Sequence, residues 1–172
     1  MSMALVLLPG MMCDERLFTP LRRAMQGGHQ VIVPDTGGAD TFEALAKSVL
    51  AAAPDSFALA GLSMGGILAM EVIRQAPDRV SHLALMDTNP FAEREEAKLR
   101  RDPQIKAART GNLAAVMRDE MKPNYFTHIA DNQHLKDICM DMALSLGADV
   151  FINQSHALRA RQDYSDVLRR VA

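Results

Sequence analysis

Cysteine is scarce in this chain. Cys13 and Cys139 are the only two in 172 residues, too few and too far apart for a disulfide framework or a thiolate metal site, so both are expected as reduced thiols. A charge of one sign is also lacking. Nineteen Lys and Arg against 21 Asp and Glu leave a formal charge of −2, and the arginine pairs Arg22-Arg23, Arg100-Arg101 and Arg169-Arg170 lie far apart. A basic stripe tracking phosphates is thereby excluded, and no nucleic-acid partner is expected. No apolar run reaches the roughly 18 residues of a membrane span. The apolar start Met3 to Leu8 is cut by Pro9-Gly10 with no positive charge before it, so neither a signal peptide nor a membrane partner is expected, and the expected location is the cytoplasm. The histidines show no H-x-x-x-H or H-E-x-x-H spacing, so neither a metal nor another cofactor is expected. Tryptophan is absent, and two Tyr and six Phe are the whole aromatic complement of a chain that is 48% hydrophobic and 23% charged. That balance fits one soluble globular domain.

What is present is an alternation of short apolar runs with helical patterns over residues 1–90, the arrangement that builds a helix-covered parallel sheet. Four runs read as strands: Ala4 to Leu8, Gln30 to Val33, Phe57 to Ala60 and Ser81 to Met86. They are apolar at nearly every position, which predicts burial on both faces. Asp40 and Glu43 suggest an acidic capping box before the stripe Phe42, Leu45, Val49 and Leu50. A further helix is expected from about Gly65 to Gln75. From Asn89-Pro90, read as a helix cap followed by a first-turn proline, residues 91–172 look wholly helical and form a cap. Gly111-Asn112, Pro123-Asn124 and Gly147 divide it into about four helices, the last over Asp163 to Val171. Glu96 and Arg100, at i, i+4, read as a solvated pair.

The chemistry is concentrated in Gly61-Leu62-Ser63-Met64-Gly65-Gly66, which follows a strand and opens directly into the helical run Ile67 to Ile73. A bare G-x-S-x-G recurs by chance; the strand before it and the helix after it make the match specific. In such a nucleophile elbow the serine sits on strained dihedrals, and the residues two before and two after must be tiny for the chain to pass itself. Gly61 and Gly65 meet that need. Ser63 is the catalytic candidate, presented at a helix N-terminus where free N–H groups favour developing negative charge. The loop after the first strand, Pro9-Gly10-Met11-Met12, can supply a second donor. The backbone N–H groups of Met11 and Met64 are the expected oxyanion hole, and Gly10 and Met12 are expected on the substrate side. Met11, Met12 and Met64, with Met117, Met121 and Met140 from the cap, suggest an adaptable apolar acyl pocket.

On these residues the sequence resembles the α/β-hydrolase family, in its branch of small carboxylesterases. The resemblance covers the whole chain: besides the elbow it includes Pro34-Asp35, Ala76-Pro77-Asp78-Arg79-Val80, Leu85-Met86-Asp87-Thr88 and Arg161-Gln162-Asp163-Tyr164. Pro9 departs from it, standing where many members have histidine. The resemblance implies a sheet of about four parallel strands under a helical cap, and a serine hydrolase acting on small acyl esters or thioesters. It also implies a triad in the order serine, acid, histidine, with the last two on loops after strands beyond the cap.

No strand-like run follows the cap here. Two βα units of about 30 residues each are therefore expected to be missing, and with them the base that an un-ionised serine needs. Asp87 followed by His128, His134 or His156 is the internal substitute in the right order; His29 and His82 precede or lie within strands. The alternative reading is a non-catalytic, hydrolase-like binding module. A third candidate is Cys13, if a helix N-terminus lowers its thiol pKa. The missing strands also leave Ser81 to Met86 as a sticky sheet edge. That edge is expected to be met by homodimerisation, by a shift of the cap over it, or by the rest of a longer protein.

Overall fold

The structure is a computed structural model that describes residues 3–25, 28–121, 125 and 133–171. Four parallel strands, β1 (Ala4–Leu8), β2 (Val31–Ile32), β3 (Phe57–Leu62) and β4 (Val80–Met86), form one sheet in the order β2-β1-β3-β4. Helix α1 (Thr19–Ala24) joins β1 to β2, α2 (Phe42–Ala52) leads to β3, and α3 (Met64–Gln75) joins β3 to β4. Register runs from Ala4 opposite Phe57 to Leu8 opposite Gly61, and from Ala58 opposite His82 to Leu62 opposite Met86. The carboxyl ends of β1, β3 and β4 therefore finish side by side.

Burial on both faces holds for β1 and β3 but not for β4. The main core, with α2 and α3, covers one face of the sheet; Phe18 and Leu17, just before α1, cover the other at Leu7 and Ala60. That second layer does not reach β4. Leu83 and Leu85 turn half-buried toward the core, while His82, Ala84 and Met86 stay exposed. Among the described residues β4 pairs only with β3, and the cap has not closed over its outer side.

Among the described residues the second half carries helices and no strand, but its punctuation differs from the expectation. Helix α4 (Glu95–Ala107) begins six residues after Asn89, whose side chain instead accepts from the Phe91 N–H at 3.1 Å in a local turn. Wide π-type turns at Ala108–Asn112 and Val116–Met121 flank the short α5 (Leu113–Ala115). Helix α6 (Gln133–Ala160) is broken at Gly147, where φ is 83° and ψ 178°. Helix α7 (Ser165–Leu168) is shorter than the expected final helix, and Pro123-Asn124 lie outside the described residues. On α4, Lys98 pairs with Glu95 at 2.8 Å instead of Arg100 with Glu96. In α2 the cap is Thr41, whose Oγ1 accepts from the Ala44 N–H at 3.3 Å, so the expected box at Asp40 is one residue early. No described helix is long and apolar enough to cross a membrane.

One apolar cluster spans both halves, joining Leu8, Met64 and Leu68 to Met117, Phe151 and Leu158. A polar knot locks the end of the cap onto α3. Glu71, with 1% side-chain exposure, accepts from Arg74 at 2.6 and 2.8 Å, from Gln75 at 2.7 Å and from Gln162 at 3.2 Å. Burial alone would raise its pKa, but hydrogen bonds from Arg74 and Gln75 outweigh it and hold the carboxyl below its ordinary range. A depressed carboxyl contributes stability that is present above the ordinary carboxylate pKa and lost as pH falls through the folded value. Arg74 is partly exposed and screened, so the expected cost of Glu71→Ala is about 1–2 kcal/mol in urea unfolding at pH 7. The difference from wild type should shrink as pH drops below the carboxylate range; a cost independent of pH would contradict this account.

Candidate active site at the strand ends

In an open parallel sheet, ligands bind outside the carboxyl ends of the strands, at the point where strand order reverses. Here that point lies between β1 and β3. The loops after them carry Gly10, Met11 and Met12 on one side and Ser63 and Met64 on the other. Among the described residues, the three non-glycine residues with positive φ all follow strand ends: Met12 (56°) after β1, Ser63 (52°) after β3 and Asp87 (44°) after β4. Such dihedrals cost about 1–3 kcal/mol each and persist only where the surroundings over-determine them.

Ser63 is over-determined. With φ 52° and ψ −114° it lies outside even the left-handed helical well. Its N–H donates to the Met86 carbonyl at 2.9 Å. Its own carbonyl accepts from the Gly66 and Ile67 N–H groups at 2.9 and 3.2 Å, and from Thr88 Oγ1 at 2.9 Å. The turn also needs two bare α-carbons. A Cβ on Gly61 would stand 2.3 Å from the Gly65 carbonyl oxygen, and one on Gly65 would stand 2.1 Å from that of Leu8. The residue so held is exposed at the entrance of helix α3, while its successor Met64 is 1% exposed.

Gly10, Met11, Ser63 and Met64 line one cavity of about 460 Å³. The Met64 N–H is one of the unpaired donors at the start of α3, and among the described residues the Met11 N–H is likewise not used by the fold. Met12, expected on the substrate side, does not line the cavity. Its side chain is 1% exposed in the core, and its N–H donates at 2.9 Å to Oε1 of Gln154, whose Nε2 donates to the Thr36 carbonyl at 3.1 Å. Of the cap methionines, Met121 lines the cavity; Met117 is buried in the core and Met140 packs against it.

Asp87 lines the cavity, but among the described residues no histidine does. His134 is exposed at the start of α6, His29 is exposed, His82 lies on the open face of β4, and His156 lines a separate cleft with Asp40 and Arg159. His128 lies outside the described residues. Cys13 and Cys139 both line the cavity, yet burial above all, then the neighbouring Cys139 and Asp14, push the Cys13 thiol up to about 12. The suggestion of an activated Cys13 is thereby corrected, since the nucleophile would be the thiolate. No group of three or more His, Cys, Asp or Glu among the described residues is placed to hold a metal ion. Two lining residues were not expected at the site from the sequence, Arg101 of α4 and Arg161 after α6.

A model of the thioesterase domain matches residues 4–166. The chain belongs to the thioesterase-domain family of α/β-hydrolases. Solved structures place this family member in the same fold. A thermophilic esterase from Thermogutta terrifontis superposes with a TM-score of 0.82 at 24% identity, over 99% of this chain and 68% of that one. An enol-lactonase from Burkholderia xenovorans LB400 gives 0.81 at 20% identity, over 95% and 67%. In sequence, the thioesterase-family chain is 33% identical over 94 residues to a pimeloyl-[acyl-carrier protein] methyl ester esterase of Legionella pneumophila. That match covers 52% of this chain and 39% of the relative's length.

The glycine geometry makes a stability prediction. Gly65→Ala drives a methyl into the Leu8 backbone and should cost about 3 kcal/mol or more, whereas Gly10→Ala, whose Cβ would find its nearest neighbour at 3.7 Å, should unfold within about 1 kcal/mol of wild type. Urea denaturation of the two variants checks this, and equal midpoints would contradict it.

Proposed function

We propose that the chain carries the nucleophilic half of a serine hydrolase acting on small acyl esters or thioesters. Ser63 Oγ attacks the acyl carbonyl, and the Met11 and Met64 N–H groups receive the oxyanion that develops. The Oγ proton passes to a base as the bond forms, the alcohol or thiol leaves, and water then releases the acyl group from Ser63. The observation that carries the reading is the strained, exposed Ser63, which lines one cavity with Met11 and Met64, whose N–H groups are not used by the fold among the described residues. Family membership and the esterase named among the relatives support the same chemistry. Because no described histidine lines the cavity, the base and its acid partner are proposed to come from outside the described residues. Loss of the base in such a unit costs about a millionfold in turnover.

That same observation favours one other reading, a pocket that binds acyl compounds without turning them over. A fluorophosphonate probe, applied to the protein with the base-bearing segment present, separates the two, since it reacts only with an activated serine. We expect stoichiometric labelling at Ser63, abolished by Ser63→Ala. Ligand binding without labelling would instead establish the binding module.

A further inference from the structure

Among the described residues, the cavity that Ser63 lines holds two arginines that share one buried carboxylate. Arg101 on α4 and Arg161 just after α6 both line the cavity, with side chains only 12% and 11% exposed. They share one buried carboxylate. Glu93, with 5% side-chain exposure, accepts from Arg101 Nε at Oε2, while Arg161 Nη1 stands 3.7 Å from its Oε1, beyond hydrogen-bond reach. Arg161 Nε is buried and has no hydrogen-bond partner. The carboxylate among the lining residues, Asp87, is exposed at the Ser63 end and forms no ion pair with either arginine.

Burying a guanidinium is costly unless an anion completes it. Two arginines on one glutamate leave one positive charge and several forked N–H donors facing the space beside Ser63, a geometry suited to a carboxylate or a phosphate. Burial, opposed by Glu93 and reinforced by Arg101, also lowers the Arg161 pKa, as expected of a cation lacking its counter-ion. We propose that Arg101 and Arg161 form an anion subsite, so that the substrate is an acyl compound carrying a terminal oxyanion: a carboxylate on the acyl chain or a phosphate on the leaving group. The inference takes the position of the acyl carbonyl from the Ser63 reading, but its test measures binding alone.

Calorimetric titration of the full chain in a Ser63→Ala background compares three probes: monomethyl adipate, hexyl phosphate and the uncharged dimethyl adipate. At least one anion should bind about tenfold or more tightly than the diester, and the tighter of the two identifies the source of the charge. Arg161→Gln removes the surplus charge while leaving Glu93 its Arg101 partner, and should abolish the preference; Arg161→Lys should keep part of it. Circular dichroism on both variants confirms that they fold. Equal affinity for all three probes, including no measurable binding of any, overturns the subsite, as does a preference that survives Arg161→Gln. Fluorophosphonate labelling of the wild-type chain reports on the hydrolase reading separately. Labelling without anion preference defeats only the subsite, and anion preference without labelling defeats only the hydrolase.

Discussion

Two stretches of backbone approach closely where β3 turns into α3, and only glycine lets them. With a side chain at residue 61 the strand would collide with the first turn of the helix that follows; with one at residue 65 the helix would collide with the end of β1. Removing both Cβ atoms lets α3 start immediately after the strand and forces the single residue at the corner into a positive φ. Three hydrogen bonds to the Ser63 carbonyl and one from its N–H hold it there. Sheet, crossing and strain are thus one arrangement, since β1, β3 and β4 each contribute an atom that fixes the corner or collides with any enlargement of it.

The strand ends gather the rest. Because all four strands are parallel, their carboxyl ends lie on one side, and the loops carrying Met11, Ser63 and Asp87 meet there. The cap adds what a sheet cannot. Gln154 reaches from α6 to tie down the Met12 amide, whereas among the described residues the Met11 N–H is not used by the fold. Arg101 and Arg161, which share the buried Glu93, add charge to the cavity lining. The cavity lining therefore combines backbone from the strand-end loops with guanidinium groups from the cap.

The sheet and the elbow were legible in the sequence because local patterns encode them. Uninterrupted apolar runs mark central strands, and Gly61 and Gly65 sit at the only spacing that serves a tight strand-to-helix turn. Burial of β4 was misjudged because it depends on what lies over the strand, and the layer around Phe18 stops at β1 and β3. The α2 cap fell at Thr41 instead of Asp40 because several polar residues near the helix start can serve, and tertiary packing chooses among them. Met12 was assigned to substrate from its place in the loop, yet its amide is taken by Gln154, 142 residues away, a pairing that no local pattern encodes. Arg101 and Arg161 were not assigned to the site for the same reason: each is an ordinary charged residue in or beside a helix until the fold brings both to one cavity.

A crystal structure of the chain with Ser63 phosphonylated tests the central claim most directly, because the phosphoryl oxygen stands where the oxyanion would form. The account predicts a covalent bond from Ser63 Oγ to phosphorus, with that oxygen about 2.7–3.1 Å from both the Met11 and Met64 nitrogens. A phosphonyl group on another residue, or one whose oxygen turns away from those two amides into solvent, would contradict it.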